Sequence, residues 1–214
     1  MSEKKTKPAA AKAQAAPAVQ SSIDPKYIGR IAGILLAICL VTALLLGIVN
    51  QITDPKITAI QKEKTEAAMS QVLPADEYIP WEADLPGDSG VTGIYLANAN
   101  GTALGWIVET TASGSQGPIT MMVGIDTSDS IGKVTGVSVI SSSETPNIGT
   151  KVVNDQSVLD RFIGMSHENG EITVNAGTNR FDGISGATVS SRGVAAGVNA
   201  ALDAVAGLNG GLVK

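Results

Sequence analysis

The sequence predicts an α+β protein: one N-terminal transmembrane helix, then an extracytoplasmic domain in which helices pack on a twisted antiparallel sheet. Three observations predict this class. Residues 31–49 form an uncharged, predominantly apolar run. Residues 91–142 contain strand-like segments in pairs, separated by turns rich in Asn, Gly, Asp and Ser. Residues 190–208 follow a helical pattern of small and apolar side chains.

Composition and charge exclude several classes of function. The chain has 15 Lys and Arg against 20 Asp and Glu, a net charge of −5. Residues 1–30 carry 6 basic and 2 acidic groups (+4), whereas residues 50–214 carry 9 basic and 18 acidic groups (−9). Such an acidic domain argues against nucleic acid as a partner, because phosphates require basic groups. One cysteine, Cys39, excludes an internal disulfide framework, and no metal site is predicted.

The uncharged run has the length of a membrane span. Nineteen residues rise about 29 Å in a helix, close to the ~30 Å of a bilayer's hydrocarbon core. Tyr27 and Arg30 stand where interfacial side chains are usual. A cleaved signal peptide is the alternative, but its apolar region is normally about 7–15 residues long and ends in a small-residue cleavage site. We therefore predict a transmembrane helix over residues 27–49.

Flanking charge predicts the orientation. Lysines precede the span, and residues 50–55 contain no Lys or Arg. The positive-inside rule then places the N-terminus in the cytoplasm and residues 50–214 outside, as a single-pass protein of the inner (cytoplasmic) membrane. Residues 1–26, rich in Lys, Ala and Pro, are predicted to be a disordered cytoplasmic tail.

The segments after the span follow in order. Asp54 and Pro55 are typical of a helix start, so residues 50–73 are predicted to contain an amphipathic juxtamembrane helix. Residues 74–214 are then the extracytoplasmic domain, which begins with a Pro-, Gly- and acid-rich loop over 74–90. The predicted strands are 91–97, 102–111, 119–125, 133–141 and 171–174, and the predicted helices of the domain are 151–164 and 190–208.

Small and hydroxyl residues collect before the last helix, where residues 180–192 read RFDGISGATVSSR. Two glycines permit a tight turn, and the hydroxyls lie beside a helix N-terminus, whose unpaired N–H groups favour an anion such as phosphate. The same residues also fit a plain turn in which Ser190 or Ser191 caps the helix. The pattern alone leaves both interpretations open.

This stretch resembles the flavinylation motif D-x-x-(S/T)-G-A-T of the FMN-binding domain family, here Asp182-x-x-Ser185-Gly186-Ala187-Thr188. Three further stretches resemble family motifs in the family's order, so that the likeness covers roughly residues 28–208. They are GPI with VGID at 117–119 and 123–126, GKV at 132–134, and ETPNIG at 144–149. More narrowly, the chain is similar to the G subunits of bacterial Rnf electron-transport complexes, with the C subunits of sodium-translocating NADH:quinone reductases as close relatives.

The resemblance implies a membrane-anchored electron-transfer subunit with covalent FMN. In the family a magnesium-dependent flavin transferase takes FMN from FAD and joins its phosphate to the motif threonine, here Thr188. The residues so assigned to cofactor binding are Thr188, Ser185, Gly186, Ala187, Asp182, Glu144, Thr145, Pro146, Gly117 and Pro118. Residues 185–187 shape the turn, Asp182 is read by the transferase or orders the loop, and the remainder lie in two loops near the flavin ring.

The implied complex moves electrons between ferredoxin and NAD and couples this to sodium or proton translocation. Its other subunits are the implied partners, and this chain alone is not a complete enzyme. Two positions depart from the family: Asn147 replaces a frequent Gly, and Ser115 lies where Tyr is frequent. Two alternatives are the C subunit of the quinone reductase and a membrane-anchored binding or scaffold module without cofactor.

Overall fold

The computed structural model describes residues 25–82, 89–128 and 132–212, with side chains as far as Leu208. The chain divides into two compact units, residues 1–54 and 55–214. Helix α1 (Pro25–Val72) is, among the described residues, the one helix long and apolar enough to cross a membrane. The predicted tail over 1–26 lies outside the described residues, apart from Pro25 and Lys26.

Helix α1 corrects the prediction of a helix start at Asp54 and Pro55. The helix is continuous from Pro25 to Val72, and Pro55 lies inside it. Proline has a helical φ, so it removes the N–H that would bond to the carbonyl four residues earlier without stopping the helix. The end at Val72 agrees with the predicted end of the juxtamembrane helix.

A five-stranded antiparallel sheet with the order β1-β2-β3-β4-β5 forms the centre of the second unit. The strands are β1 (Glu77–Pro80), β2 (Val91–Ala99), β3 (Thr102–Ser113), β4 (Pro118–Asp126) and β5 (Lys133–Ser142). Both predicted hairpins are confirmed. The first has a tighter turn than predicted, because Asn100 and Gly101, both at positive φ, connect β2 to β3.

Strand β1 lies in the segment predicted as a loop over 74–90. It pairs with β2 from Glu77 opposite Asn98 to Pro80 opposite Tyr95. Because β1 is at the edge of the sheet, its proline and its one acidic residue, Glu77, are tolerated there. The same composition is typical of loops, which is why the sequence did not predict the strand.

The sheet is covered on both faces. Met121 and Met122 are adjacent in β4, are both fully buried, and belong to opposite cores because successive side chains of a strand alternate. Helix α4 (Thr188–Leu212) packs on the Met121 face. The last turns of α1 pack on the other face, in a core of Ala68, Met69, Val72, Leu73, Ala97, Ile107 and Met122.

The segment between β5 and α4 is built of short elements. The single helix predicted over 151–164 is wrong: α2 (Thr150–Val153), α3 (Gln156–Leu159) and a 3-10 turn replace it. Asp155 interrupts the helix, because its carboxylate accepts from the Ser157 N–H at 3.0 Å and so caps α3. The hydrogen bonds from the Ser157 side chain and backbone also lower the pKa of Asp155.

A parallel pair of two-residue strands, β6 (Thr173–Val174) and β7 (Arg180–Phe181), completes the second unit. The structure confirms the second half of the strand predicted over 171–174. Phe181 stacks on Phe162 with ring centroids 4.1 Å apart. This stacking joins the segment before α4 to the 3-10 turn that follows α3.

Candidate functional site

Thr188 is the first residue of α4 and is exposed. The turn before it contains Gly186 at φ +82°, and the Ala187 N–H donates to the Ile184 carbonyl at 3.0 Å. The Ser191 N–H makes the first intrahelical bond, to the Ala187 carbonyl at 2.9 Å. The three preceding N–H groups of the helix therefore have no intrahelical acceptor, which is the usual state of a helix N-terminus.

Ser190 and Ser191 lie within the first turn of α4 and are buried. The interpretation in which one of them is the N-cap is therefore wrong. Ser191 Oγ instead accepts from the Ile184 N–H at 3.2 Å and so supports the loop from inside. Gly183 passes close by, since a Cβ there would lie 3.0 Å from Ser191 Oγ.

Asp182 is held by two arginines. Its Oδ1 lies 2.8 Å from Arg180 Nε, and its backbone carbonyl accepts from Arg161 Nη1 at 2.9 Å. The Asp182 side chain is 62% exposed, so the ion pair adds little stability.

Glu144 is buried and joins the other two predicted loops to α4. Its Oε2 accepts from Ser190 Oγ at 2.9 Å, and its Oε1 accepts from the Ser115 N–H at 2.6 Å. Both carboxylate oxygens of Glu144 are thus engaged within the protein. The structure places the loop of residues 144–149 and the β3–β4 loop at the start of α4.

The loop around Thr145 and Pro146 is a tight turn. The Thr145 carbonyl accepts from the Ile148 N–H at 3.2 Å, and Asn147 has φ +62°. Asparagine is among the residues that tolerate this conformation, so the turn forms without the family's glycine. Pro146 and Ile148 are exposed.

Gly117 and Pro118 lie in the β3–β4 hairpin. The Gly117 carbonyl accepts from the Gly114 N–H at 2.8 Å and closes the loop, and Pro118 begins β4 opposite Ser113. Neither residue contacts Thr188 in any hydrogen bond of the described chain. Gly117 lies in the loop that carries the Ser115 N–H, and Pro118 follows that loop as the first residue of β4.

The sequence motif did not single out two exposed residues in the first turns of α4, Val189 and Arg192. Both residues line a cavity of about 440 Å³ together with Ser113 and Gly193. Arg192 also lines a cavity of about 1120 Å³ farther along α4. The i, i+4 spacing from Thr188 predicts Arg192 as a neighbour once the helix start is known.

The start of α4 fits the phosphate of FMN. Thr188 is exposed and begins a helix whose first N–H groups have no intrahelical acceptor, and such groups favour a negative charge. A Cβ on Gly186 would meet nothing within 4 Å, so the space beside the turn is open. In the described part of the chain, no group of three or more His, Cys, Asp and Glu could hold a metal ion.

Comparison with known proteins gives two family matches. Residues 114–203 match the FMN-binding domain, and residues 23–72 match the RnfG N-terminal region. The G subunit of an ion-translocating oxidoreductase complex from Methanosarcina acetivorans is 30% identical over 191 residues, covering 87% of this chain and 99% of that protein. The G subunit of the Na⁺-translocating ferredoxin:NAD⁺ oxidoreductase complex of Acetobacterium woodii is 31% identical, covering 83% and 91%.

Two solved structures are also similar. The C subunit of the Na⁺-translocating NADH-quinone reductase of Parabacteroides distasonis has a TM-score of 0.49 at 19% identity, with 71% of this chain and 84% of that chain covered. NqrC of Shewanella oneidensis has a TM-score of 0.43 at 20% identity, with 56% and 62% covered. On the sequence relatives, the chain belongs to the family of G subunits of ion-translocating oxidoreductase complexes, and it contains their FMN-binding domain.

Proposed function

We propose that this chain is a membrane-anchored electron-transfer subunit that carries FMN covalently through a phosphoester to Thr188. The observation that supports this most directly is the exposure of Thr188 at the first position of α4, inside the matched FMN-binding domain. Bound FMN supplies the one- and two-electron redox chemistry that the side chains of the protein lack.

The attachment is a phosphoryl-type transfer in which Thr188 is the nucleophile. A flavin transferase presents FAD and Mg²⁺, and Thr188 Oγ attacks the phosphorus of the FMN half. One P–O bond forms to Oγ, the pyrophosphate bond to AMP breaks, AMP leaves, and the hydroxyl proton passes to a base of the transferase. The phosphodiester retains one negative charge, which the N–H groups at the start of α4 can hold.

Burial supports Thr188 over the neighbouring serines. Ser190 and Ser191 are 1% and 0% exposed, and each Oγ is engaged in a hydrogen bond. Ser185 is exposed but precedes Gly186, outside the helix. We assign Ser185, Gly186 and Ala187 to the shape of the turn and Asp182 to loop order and recognition by the transferase.

The complex that this protein serves is proposed from its relatives. The A. woodii relative belongs to a Na⁺-translocating ferredoxin:NAD⁺ oxidoreductase complex. We propose that this chain likewise transfers electrons within an Rnf-type complex that links ferredoxin and NAD to sodium or proton translocation. The other membrane and peripheral subunits are then its partners, and the flavin transferase is a partner during maturation.

The proposed layout follows charge and helix length. Residues 1–26 are a cytoplasmic tail, 27–49 cross the inner membrane, 50–73 continue as a juxtamembrane helix, and 74–214 form the extracytoplasmic flavin domain. The uncharged run with lysines before it supports this orientation. In spheroplasts, external protease should cut after Asp54 and spare the tail; the reverse pattern contradicts the orientation.

Mass spectrometry tests the attachment. Wild-type chain co-expressed with a flavin transferase should gain the mass of one FMN less water, and the flavin should map to Thr188 in the tryptic peptide Phe181–Arg192. Thr188→Ala should remain folded and lose both the mass increment and the in-gel flavin fluorescence. Ser185→Ala should have a milder effect on both than Thr188→Ala, because the acceptor Thr188 remains. Covalent flavin retained by Thr188→Ala would overturn the assignment.

A further inference from the structure

A buried carboxylate connects three segments at the start of α4. Glu144, which follows β5, is 6% exposed. One of its oxygens accepts from Ser190 in α4 at 2.9 Å and the other from the Ser115 N–H of the β3–β4 loop at 2.6 Å. We propose that Glu144 is a positioning residue for flavin loading, which keeps the Thr188 hydroxyl turned toward solvent. This inference rests on the proposed attachment at Thr188.

The Glu144–Ser190 hydrogen bond also affects the orientation of Thr188, because both residues belong to the same helix. Successive residues of an α-helix are about 100° apart around the axis, so Thr188 and Ser190 are about 200° apart. Fixing Ser190 inward therefore turns Thr188 outward. The burial agrees, since Ser190 is 1% exposed whereas Thr188 is exposed.

Two glycines make room for the carboxylate. A Cβ on Gly114 would collide with Glu144 Oε1, and a Cβ on Gly149 would collide with Oε2. The carboxylate thus occupies a slot between the β3–β4 loop and the end of the 144–149 loop. A buried carboxylate is costly unless it is hydrogen-bonded, so its two bonds hold both loops to α4.

Four variants separate the geometric role from charge and from general stability. Glu144→Ala removes both bonds, and Ser190→Ala removes the bond to the helix alone. Glu144→Gln loses the charge but retains the geometry, because its amide oxygen can accept from the Ser115 N–H and its NH₂ can donate to Ser190 Oγ. Ser138→Ala is the matched control: Ser138 is also buried, and its Oγ donates to Gln71 Oε1 at 2.9 Å.

The experiment measures the initial rate of covalent loading of the full-length chain by a flavin transferase with FAD and Mg²⁺, followed by intact mass. We expect Glu144→Ala to load at least about tenfold more slowly, since misplacing a reacting group costs rates of this order or more. Ser190→Ala should be slower by about threefold or more, whereas Glu144→Gln and Ser138→Ala should stay within about twofold of wild type. Amide hydrogen exchange over 186–192 should rise in Glu144→Ala and not in Glu144→Gln.

The outcomes are distinguishable. If the Glu144→Ala protein folds and is loaded with flavin at the wild-type rate, the positioning role is wrong. It is also wrong if the Glu144→Gln protein is loaded as slowly as the Glu144→Ala protein, because the charge would then be decisive. If Glu144→Ala does not fold, equal rates for Ser190→Ala and Ser138→Ala overturn it. Thr188→Ala is run in parallel: loading of that variant, or wild type without flavin at Thr188, refutes the proposed function rather than the role of Glu144.

Discussion

Three hydroxyl residues in the first turn of α4 differ in exposure. Thr188 faces solvent, whereas Ser190 and Ser191 face the interior and are engaged with Glu144 and the Ile184 N–H. The sequence presents all of them as hydroxyls beside a turn. Burial therefore distinguishes one candidate nucleophile from two structural serines.

A residue-scale prediction concerns Asn147, which has φ +62° in the loop next to Glu144. Asn147→Gly should leave the free energy of unfolding within about 0.5 kcal/mol, because glycine adopts this conformation freely. Asn147→Ala should lower it by about 1 kcal/mol, because a Cβ opposes the left-handed region. Urea unfolding monitored by circular dichroism measures both. Asn154→Ala is the control, since Asn154 has φ −107°; equal losses at 147 and 154 would contradict the explanation.

At the scale of elements, helix α4 approaches the sheet closely enough to need glycine. A Cβ on Gly193 would lie 2.6 Å from the Ser113 carbonyl oxygen and 3.4 Å from Ile119 Cδ1. Gly197 is similar, with Met121 Cε 2.8 Å from the position of a Cβ. This approach brings the end of β3, and hence the loop with the Ser115 N–H, to the first turn of α4.

Alanine at two glycines of α4 should have opposite effects. Gly193→Ala should destabilise the protein by about 2 kcal/mol, because the helix must move away from Ser113. Gly207→Ala should stabilise it by up to about 1 kcal/mol, because a Cβ there meets nothing within 4 Å and alanine favours helix. Thermal unfolding measures both. A Gly193→Ala protein as stable as wild type would contradict the close contact between α4 and Ser113.

At the scale of the whole molecule, the sheet requires a cover on each face. One cover is α4, and the other is the end of α1, where Thr135 Oγ1 donates to the Val72 carbonyl at 2.6 Å. The last turns of α1 therefore belong to the fold of the second unit. The start of that unit at Pro55 agrees with this arrangement.

Truncation tests which part of α1 the flavin domain needs. A chain of residues 50–214 should be soluble and accept flavin, because it retains both cores. A chain of residues 74–214 should be destabilised by at least about 3 kcal/mol or aggregate, because it loses Ala68, Met69 and Val72 and exposes Ile107 and Met122. Size-exclusion chromatography and urea unfolding provide the measurement. Equal stability of the two chains would exclude a structural role for the end of α1.

The sequence by itself determined the features that depend on local pattern. The long apolar helix could be predicted because its uncharged run is continuous in the sequence. The two hairpins could be predicted because their turns need residues that accept positive φ. The motif around Thr188 could be found because its residues are contiguous. Strand β1 and the breaks between α2 and α3 could not, because pairing at a sheet edge and capping by Asp155 override composition.

Only the tertiary structure decided what the separated motifs do together. Glu144 and Ser190 are 46 residues apart in sequence and 2.9 Å apart in space. Their contact exists because α4 packs over β3 and β4 and brings its first turn to the ends of the strands. Helix and strand propensities depend on neighbouring residues in the sequence and cannot predict such a contact. The proposed role of Glu144 therefore follows from packing and burial rather than from the motif that contains it.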